Sequence, residues 1–146
     1  MQGITGIGHF ALKVHDLDRS LRFYRDQLGF REMMRINKDD GSLWLVYLRI
    51  TDTQFMEIFF DAPQERAPGW NDNAITHICL EVDDLDRVLA QVAAAGIKLL
   101  IEKKVAADGN AQAWIEDPDG NRIEFMQLNP DGLQMQAIRR LRMERA

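Results

Sequence analysis

Apolar and polar positions alternate over residues 7–14 and again over 75–82, the period of a strand with one covered face. Each alternation runs into Asp-Leu-Asp, at 16–18 and 84–86, which reads as a turn and a helix N-cap. Beyond it, Leu21, Phe23, Tyr24 and Leu28 follow helical spacing, as do Leu85, Val88, Leu89, Val92 and Ala93 later in the chain. Gly29 and Gly96 suit the left-handed residue that closes a helix. Strand patterns follow over roughly 30–36, 43–50 and 53–60, and again over 97–102, 111–117 and 121–128, with Asp117-Pro118-Asp119-Gly120-Asn121 as a turn between the last two. The polar stretch 61–74, with its Pro and Gly residues, joins the halves. After Pro130, Leu133, Met135, Ile138 and Leu141 predict a short helix ending in Arg139, Arg140, Arg142 and Arg145. That helix is expected to pack on the domain with its basic end solvated, a contact with a partner chain being the alternative.

The two halves are copies of one another. Sliding the chain by 68 residues aligns 7–21 with 75–89, and nine of the fifteen columns are identical, far beyond chance for so short a window. From Gly29/Gly96 onward the offset is 67, so the second copy has lost one residue between the helix start and its closing glycine. The predicted architecture is α+β: two tandem βαβββ modules, 4–62 and 74–128, forming curved mixed sheets within one domain over 1–130, plus a C-terminal helical tail over 131–146.

Composition narrows the function classes. At 146 residues the chain has room for one ordinary core. A net charge of −5 gives no footprint for nucleic acid or anionic lipid. The longest apolar run, Leu43 to Leu48, is far short of a membrane span, and residues 1–10 lack the pattern of a secretory signal, so a cytoplasmic protein is expected. Cys79 is the single cysteine, which excludes an intrachain disulfide and a paired-thiolate zinc site. Any metal must rest on His, Asp and Glu.

Two of the three histidines, His9 and His77, share one column of the repeat, and Glu57 and Glu124 share another. Strand alternation puts Phe10, Leu12 and Val14, and likewise Ile78, Leu80 and Val82, on the face that meets the helices. The histidines therefore lie on the opposite, concave face. A carboxylate inside the apolar run Phe55 to Phe60 is costly unless paired or coordinated. Two imidazoles and two carboxylates in equivalent places form a nitrogen and oxygen shell of net charge −2, suited to one divalent Ni, Co, Zn, Mn or Fe ion per chain. His15 faces Asp83 across the repeat and is read as an exposed turn residue, and Cys79 as a small core filler rather than a nucleophile.

The paired βαβββ units, the His9, Glu57, His77 and Glu124 set, the Asp16-Leu17-Asp18-Arg19-Ser20 helix start, Leu28-Gly29-Phe30 and the Asp117 turn together resemble the vicinal oxygen chelate superfamily of glyoxalases, bleomycin resistance proteins and dioxygenases, over residues 4 to about 128. The order His, Glu, His, Glu is most similar to bacterial glyoxalase I, lactoylglutathione lyase. That resemblance implies His9, Glu57, His77 and Glu124 as metal ligands, with nickel or cobalt favoured by a histidine in the first place. It also implies that Glu124 shuttles a proton between adjacent carbons through an enediolate, with Glu57 as the symmetric candidate on the opposite face. Lys13 stands where that family typically has arginine and Asp61 where it typically has asparagine; both are expected on the ligand face as cofactor-binding residues, and the substitutions leave glutathione open as co-substrate.

The expected function is thus a metal-dependent isomerase or lyase acting on a hemithioacetal or a related α-hydroxycarbonyl, with a small-molecule substrate and a homodimeric assembly. An epimerase of a keto-sugar or acyl thioester keeps the same chemistry, and Asp61 would suit sugar hydroxyls. An extradiol dioxygenase, against which the fourth ligand Glu57 counts, and a metal-free resistance-type binding protein, which has no use for two buried carboxylates, are the further alternatives.

Overall fold

The structure is a computed structural model that describes residues 3–144. It divides into two compact units, Met1–Ala67 and Pro68–Ala146, the break falling inside the predicted linker. Arg145, counted above with the basic end, lies outside the described residues.

The first unit holds β1 (His9–Lys13), a helix that begins as α1 (Leu17–Leu21) and continues as a π-helical stretch (Arg22–Gln27), then β2 (Arg31–Asn37), β3 (Leu43–Arg49) and β4 (Phe55–Phe59). The second repeats the order: β5 (Ile78–Glu81), α2 (Leu85–Ala94), β6 (Leu99–Val105), β7 (Ala111–Glu116) and β8 (Arg122–Gln127), followed by α3 (Leu133–Met143). Each unit forms one four-stranded mixed sheet, β1-β4-β3-β2 and β5-β8-β7-β6, so the histidine-bearing strand is at a sheet edge and the glutamate-bearing strand is its parallel neighbour. The α+β, tandem βαβββ expectation describes this architecture.

Register explains how apolar side chains gather on one face. In the first unit Phe10 and Leu12 stand opposite Met56 and Ile58, which in turn stand opposite Leu48 and Val46. Val14, Val46, Leu48, Met56 and Ile58 are fully buried, and Leu21, Phe23 and Tyr24 from the helix are nearly so. Each such side chain contributes about 1.5–3 kcal/mol through burial. In the second unit Ile115, Ile123 and Phe125 meet Leu85 and Val92, and α2 packs on β7 and β8. Asp16 and Asp84 cap their helices, accepting from the backbone N–H of Arg19 and Arg87. The Asp117 carboxylate accepts from the backbone N–H of Asp119 at 2.9 Å and of Asn121 at 2.7 Å, closing the turn before β8.

The π-helical stretch was not foreseen, and the change of offset accounts for it. Asp16 and Gly29 are one residue farther apart than Asp84 and Gly96. Both glycines keep positive φ, +77° and +72°, so both helices end in the same way. The surplus residue widens one turn, and Leu28 N–H bonds back five residues to the Phe23 carbonyl at 2.9 Å. The widened turn keeps Leu21, Phe23 and Tyr24 in the core.

Two expectations need correction. No residue of α3 is fully buried: Met135 and Ile138 are half-buried while Leu133 and Leu141 are 60% and 48% exposed, so its apolar stripe packs only in part. Polar bonds also hold its start, Leu133 N–H to the Asp108 carbonyl at 2.8 Å and Asn110 Nδ2 to Gln134 Oε1 at 2.8 Å. His15 is half-buried, not exposed, and its Nδ1 lies 2.8 Å from the Ala62 carbonyl.

If one surplus residue makes the π turn, deleting the exposed Asp26 will restore an α-helix and leave a cooperatively unfolding protein. Deleting the exposed Gln91 from α2 instead rotates the buried Val92 by about 100° out of the core. Thermal unfolding followed by circular dichroism is expected to show a much larger loss for the second deletion. Equal losses would contradict the account of the bulge.

Candidate metal centre

The parallel ladders bring each histidine to its glutamate. His9 stands opposite Phe55, and Glu57 opposite Ala11, so the two side chains are diagonal neighbours on one face, with His9 Nε2 3.6 Å from Glu57 Oε1. In the second unit Glu124 stands opposite Cys79, and His77 Nε2 is 3.2 Å from Glu124 Oε2. Both carboxylates are buried, at 8% and 9% exposure, while the imidazoles are more open. Donors bound about 2 Å from one metal in adjacent positions lie about 3 Å apart, and both pairs are near that spacing. The structure thus brings the four predicted ligands together as two pairs. Among the described residues, no three or more of His, Cys, Asp and Glu are gathered so as to hold a metal.

Aromatic residues unrecognised in the sequence complete each half. Tyr47 stands opposite Glu57 and Trp114 opposite Glu124, one more column at the 67-residue offset. The two rings do different work. The Tyr47 hydroxyl donates to Glu57 Oε1, and that carboxylate holds the phenol's pKa above its usual value. Trp114 instead lies against His77, ring centres 4.5 Å apart and planes tilted by 54°, and gives its N–H to Gln112 at 2.8 Å. The signal was available as a shared aromatic column, but aromatic residues inside apolar strands read as core.

Arg122, on the Glu124 face, is 6% exposed. Its Nε donates to the Thr76 carbonyl at 2.6 Å, one Nη to the Pro68 carbonyl at 3.1 Å, and its guanidinium lies 4.3 Å above the Trp70 ring. The segment before β5 is thereby strapped to β8. Cys79 is exposed on the His77 face and not a core filler. Desolvation first, then the Glu124 carboxylate, pushes its thiol up to about 12, so it stays protonated at neutral pH and is a poor nucleophile.

Lys13, the last residue of β1, is exposed on the His9 face, opposite Phe59. Asp61 is different. The alternation that assigned it to the Glu57 face stops with β4 at Phe59, and Asp61 adopts φ +60°, a left-handed conformation that Asp, Asn and Gly tolerate. The bonds Val14 N–H to Phe59 O and Ala62 N–H to Val14 O, at 2.8 and 3.0 Å, bracket this kink. Its backbone conformation by itself suits an Asp at this position.

The family is settled at this point. The Glyoxalase/Bleomycin resistance protein/Dioxygenase superfamily matches residues 6–125, and the chain belongs to it. Lactoylglutathione lyase of Neisseria meningitidis serogroup A is 32% identical over 123 residues, spanning 82% of this chain and 88% of that protein. The enzyme of the same name from Haemophilus influenzae is 32% identical over 126 residues, 82% of this chain and 90% of its own. The crystal structure of lactoylglutathione lyase from Agrobacterium tumefaciens superposes with a TM-score of 0.64 at 26% identity, covering 86% of this chain and 96% of that one. Proteins of this superfamily generally bind a divalent metal, and it also includes members that are not enzymes. No described helix is long and apolar enough to cross a membrane.

If backbone conformation dictates residue 61, Asp61→Asn and Asp61→Gly will match the parent in thermal stability, whereas Asp61→Val will lose about 1–2 kcal/mol. Chemical denaturation of the three variants checks this. Full stability of the valine variant would count against it.

Proposed function

We propose that the protein is a metal-dependent lyase or isomerase of the lactoylglutathione lyase type, moving a proton between adjacent carbons of a hemithioacetal or a related α-hydroxycarbonyl. The observation that carries this reading is the repeated pairing of an open imidazole with a buried carboxylate, 3.6 and 3.2 Å apart, one pair in each unit. Two buried carboxylates facing two histidines are a poor way to stabilise a core and a good donor set for one divalent ion. His9, Glu57, His77 and Glu124 would hold that ion, nickel or cobalt by preference. When bound, it would supply positive charge beside the substrate oxygens, stabilising the negative charge that develops there and acidifying the adjacent C–H.

The chain's own groups divide the remaining work. Glu57 accepts from the Tyr47 hydroxyl and is held in place. The aromatic residue opposite Glu124 donates elsewhere, to Gln112, so this carboxylate lacks the phenol contact that Glu57 has, its near neighbours being His77 Nε2 at 3.2 Å and the Cys79 thiol. Glu124 is therefore the better proton carrier: it takes the proton from one carbon and returns it to the next, while Glu57 stays fixed. Lys13 offers a point charge for an anionic group of the substrate, without the fork of an arginine. Glutathione is the first co-substrate to try, on the strength of the relatives named lactoylglutathione lyase.

Each unit carries half of the donor set, and β1 and β5 are each a sheet edge. Exposed Ile7 and Ile75, in one repeat column, lie just before these strands. These features favour the homodimer expected above. The expected cytoplasmic location belongs to the same reading.

The test is hemithioacetal isomerisation by metal-stripped protein reloaded in turn with nickel, cobalt and zinc, with bound metal counted in the same samples. One ion per chain and metal-dependent turnover are expected. Glu124→Gln should lower turnover by roughly 10²–10⁴-fold with metal retained. Glu57→Gln should weaken the metal more than the chemical step. Absence of bound metal in the parent protein would refute the reading.

A further inference from the structure

The two half-sites differ in how their histidines are held. His77 Nδ1 lies 2.9 Å from the hydroxyl of Thr76, and Trp114 covers the ring. Thr76 is itself fixed, its carbonyl taking the Nε–H of the buried Arg122 at 2.6 Å. In the equivalent columns of the first unit stand Gly8 and Phe55, which offer neither a hydroxyl nor a guanidinium. His9 meets Tyr47 only edge-on, with ring centres 6.3 Å apart.

The partner of His77 is a hydroxyl, which both donates and accepts. Without metal, Nε2 faces the Glu124 carboxylate at 3.2 Å, an acceptor only, so the ring carries its proton on Nε2 and takes a hydrogen bond at Nδ1 from Thr76. A ligand nitrogen must be bare, so binding through Nε2 requires the proton to move to Nδ1. The Thr76 hydroxyl then turns and accepts from Nδ1–H. A carbonyl or carboxylate in its place would serve only one of the two states.

We propose that Thr76 is a positioning residue whose hydroxyl serves both tautomers of His77, making this half-site an oriented, ready donor for the divalent ion while His9 lacks such a support. The proposal rests on the metal reading above, and the two can fail separately. Arg122 acts one step behind, by holding the Thr76 backbone.

Zinc, which is diamagnetic, is the probe. Nitrogen-15 spectra of the histidine rings report each tautomer. In the parent protein His77 is expected to change from Nε2–H to Nδ1–H when zinc is added. Thr76→Val, an isostere at an exposed position, should weaken zinc binding about 10–100-fold. It should also leave the metal-free His77 signals shifted and His9 unchanged. Thr76→Ser should restore both. Unaltered zinc affinity and unaltered His77 signals in Thr76→Val would overturn the proposal. If the parent protein takes up no zinc, nickel or cobalt, the metal reading fails. The metal-free spectra of the valine and serine variants then decide on their own whether Thr76 positions the ring.

Discussion

Two carboxylates sit within apolar strands, and much of the arrangement around them follows from the need to keep each one satisfied. Glu57 and Glu124 are almost fully covered, in strands whose neighbouring residues are hydrophobic. An unpaired buried charge would cost several kcal/mol, a large share of a small domain's stability. The parallel edge strand solves this locally by placing an imidazole diagonally opposite. Chain order then makes the solution repeatable, because βαβ geometry delivers β1 and β5 alongside β4 and β8 in the same register. Core and site are thus two faces of the same ladder: Phe10, Leu12, Met56 and Ile58 on one side, His9 and Glu57 on the other.

Much of this was legible in the sequence because strand alternation and repeat offset are both simple periods. The columns His9/His77 and Glu57/Glu124 mark ladder positions, and a ladder carries register over the length of a strand. Legibility ends where the period does. Asp61 was counted onto the ligand face by twos, but β4 closes at Phe59 and the chain turns left-handed two residues later. His15 was read as solvated because it lies beyond its strand, whereas a bond to a carbonyl 47 residues away holds it. Neither long-range fact has a local pattern to announce it.

The helix of the first unit shows the opposite case, a local number with a structural meaning that was present and unread. The offset falls from 68 to 67 between the N-cap aspartate and the closing glycine, and a helix can absorb one residue only by widening a turn or by rotating its face. Rotation would remove Phe23 and Tyr24 from the core, so the wider turn is the less costly outcome. For α3 the periodicity correctly implies a helix but not full burial, because an amphipathic stripe states what a helix could cover and not what lies beneath it.

Duplication made the halves equal in their His and Glu columns, and the surrounding residues have made them unequal in support. The aromatic column shows how little is needed. Tyr47 and Trp114 occupy the same register position, yet a phenol reaches the carboxylate while an indole lies tilted against the imidazole and donates to Gln112. One substitution therefore decides which member of each pair is held. Glu57 takes a phenol hydrogen bond that Glu124 lacks, so two carboxylates equal in the repeat are unequal in their surroundings. Under the proposed reading, that inequality would let one carboxylate carry the proton while the other stays at the metal.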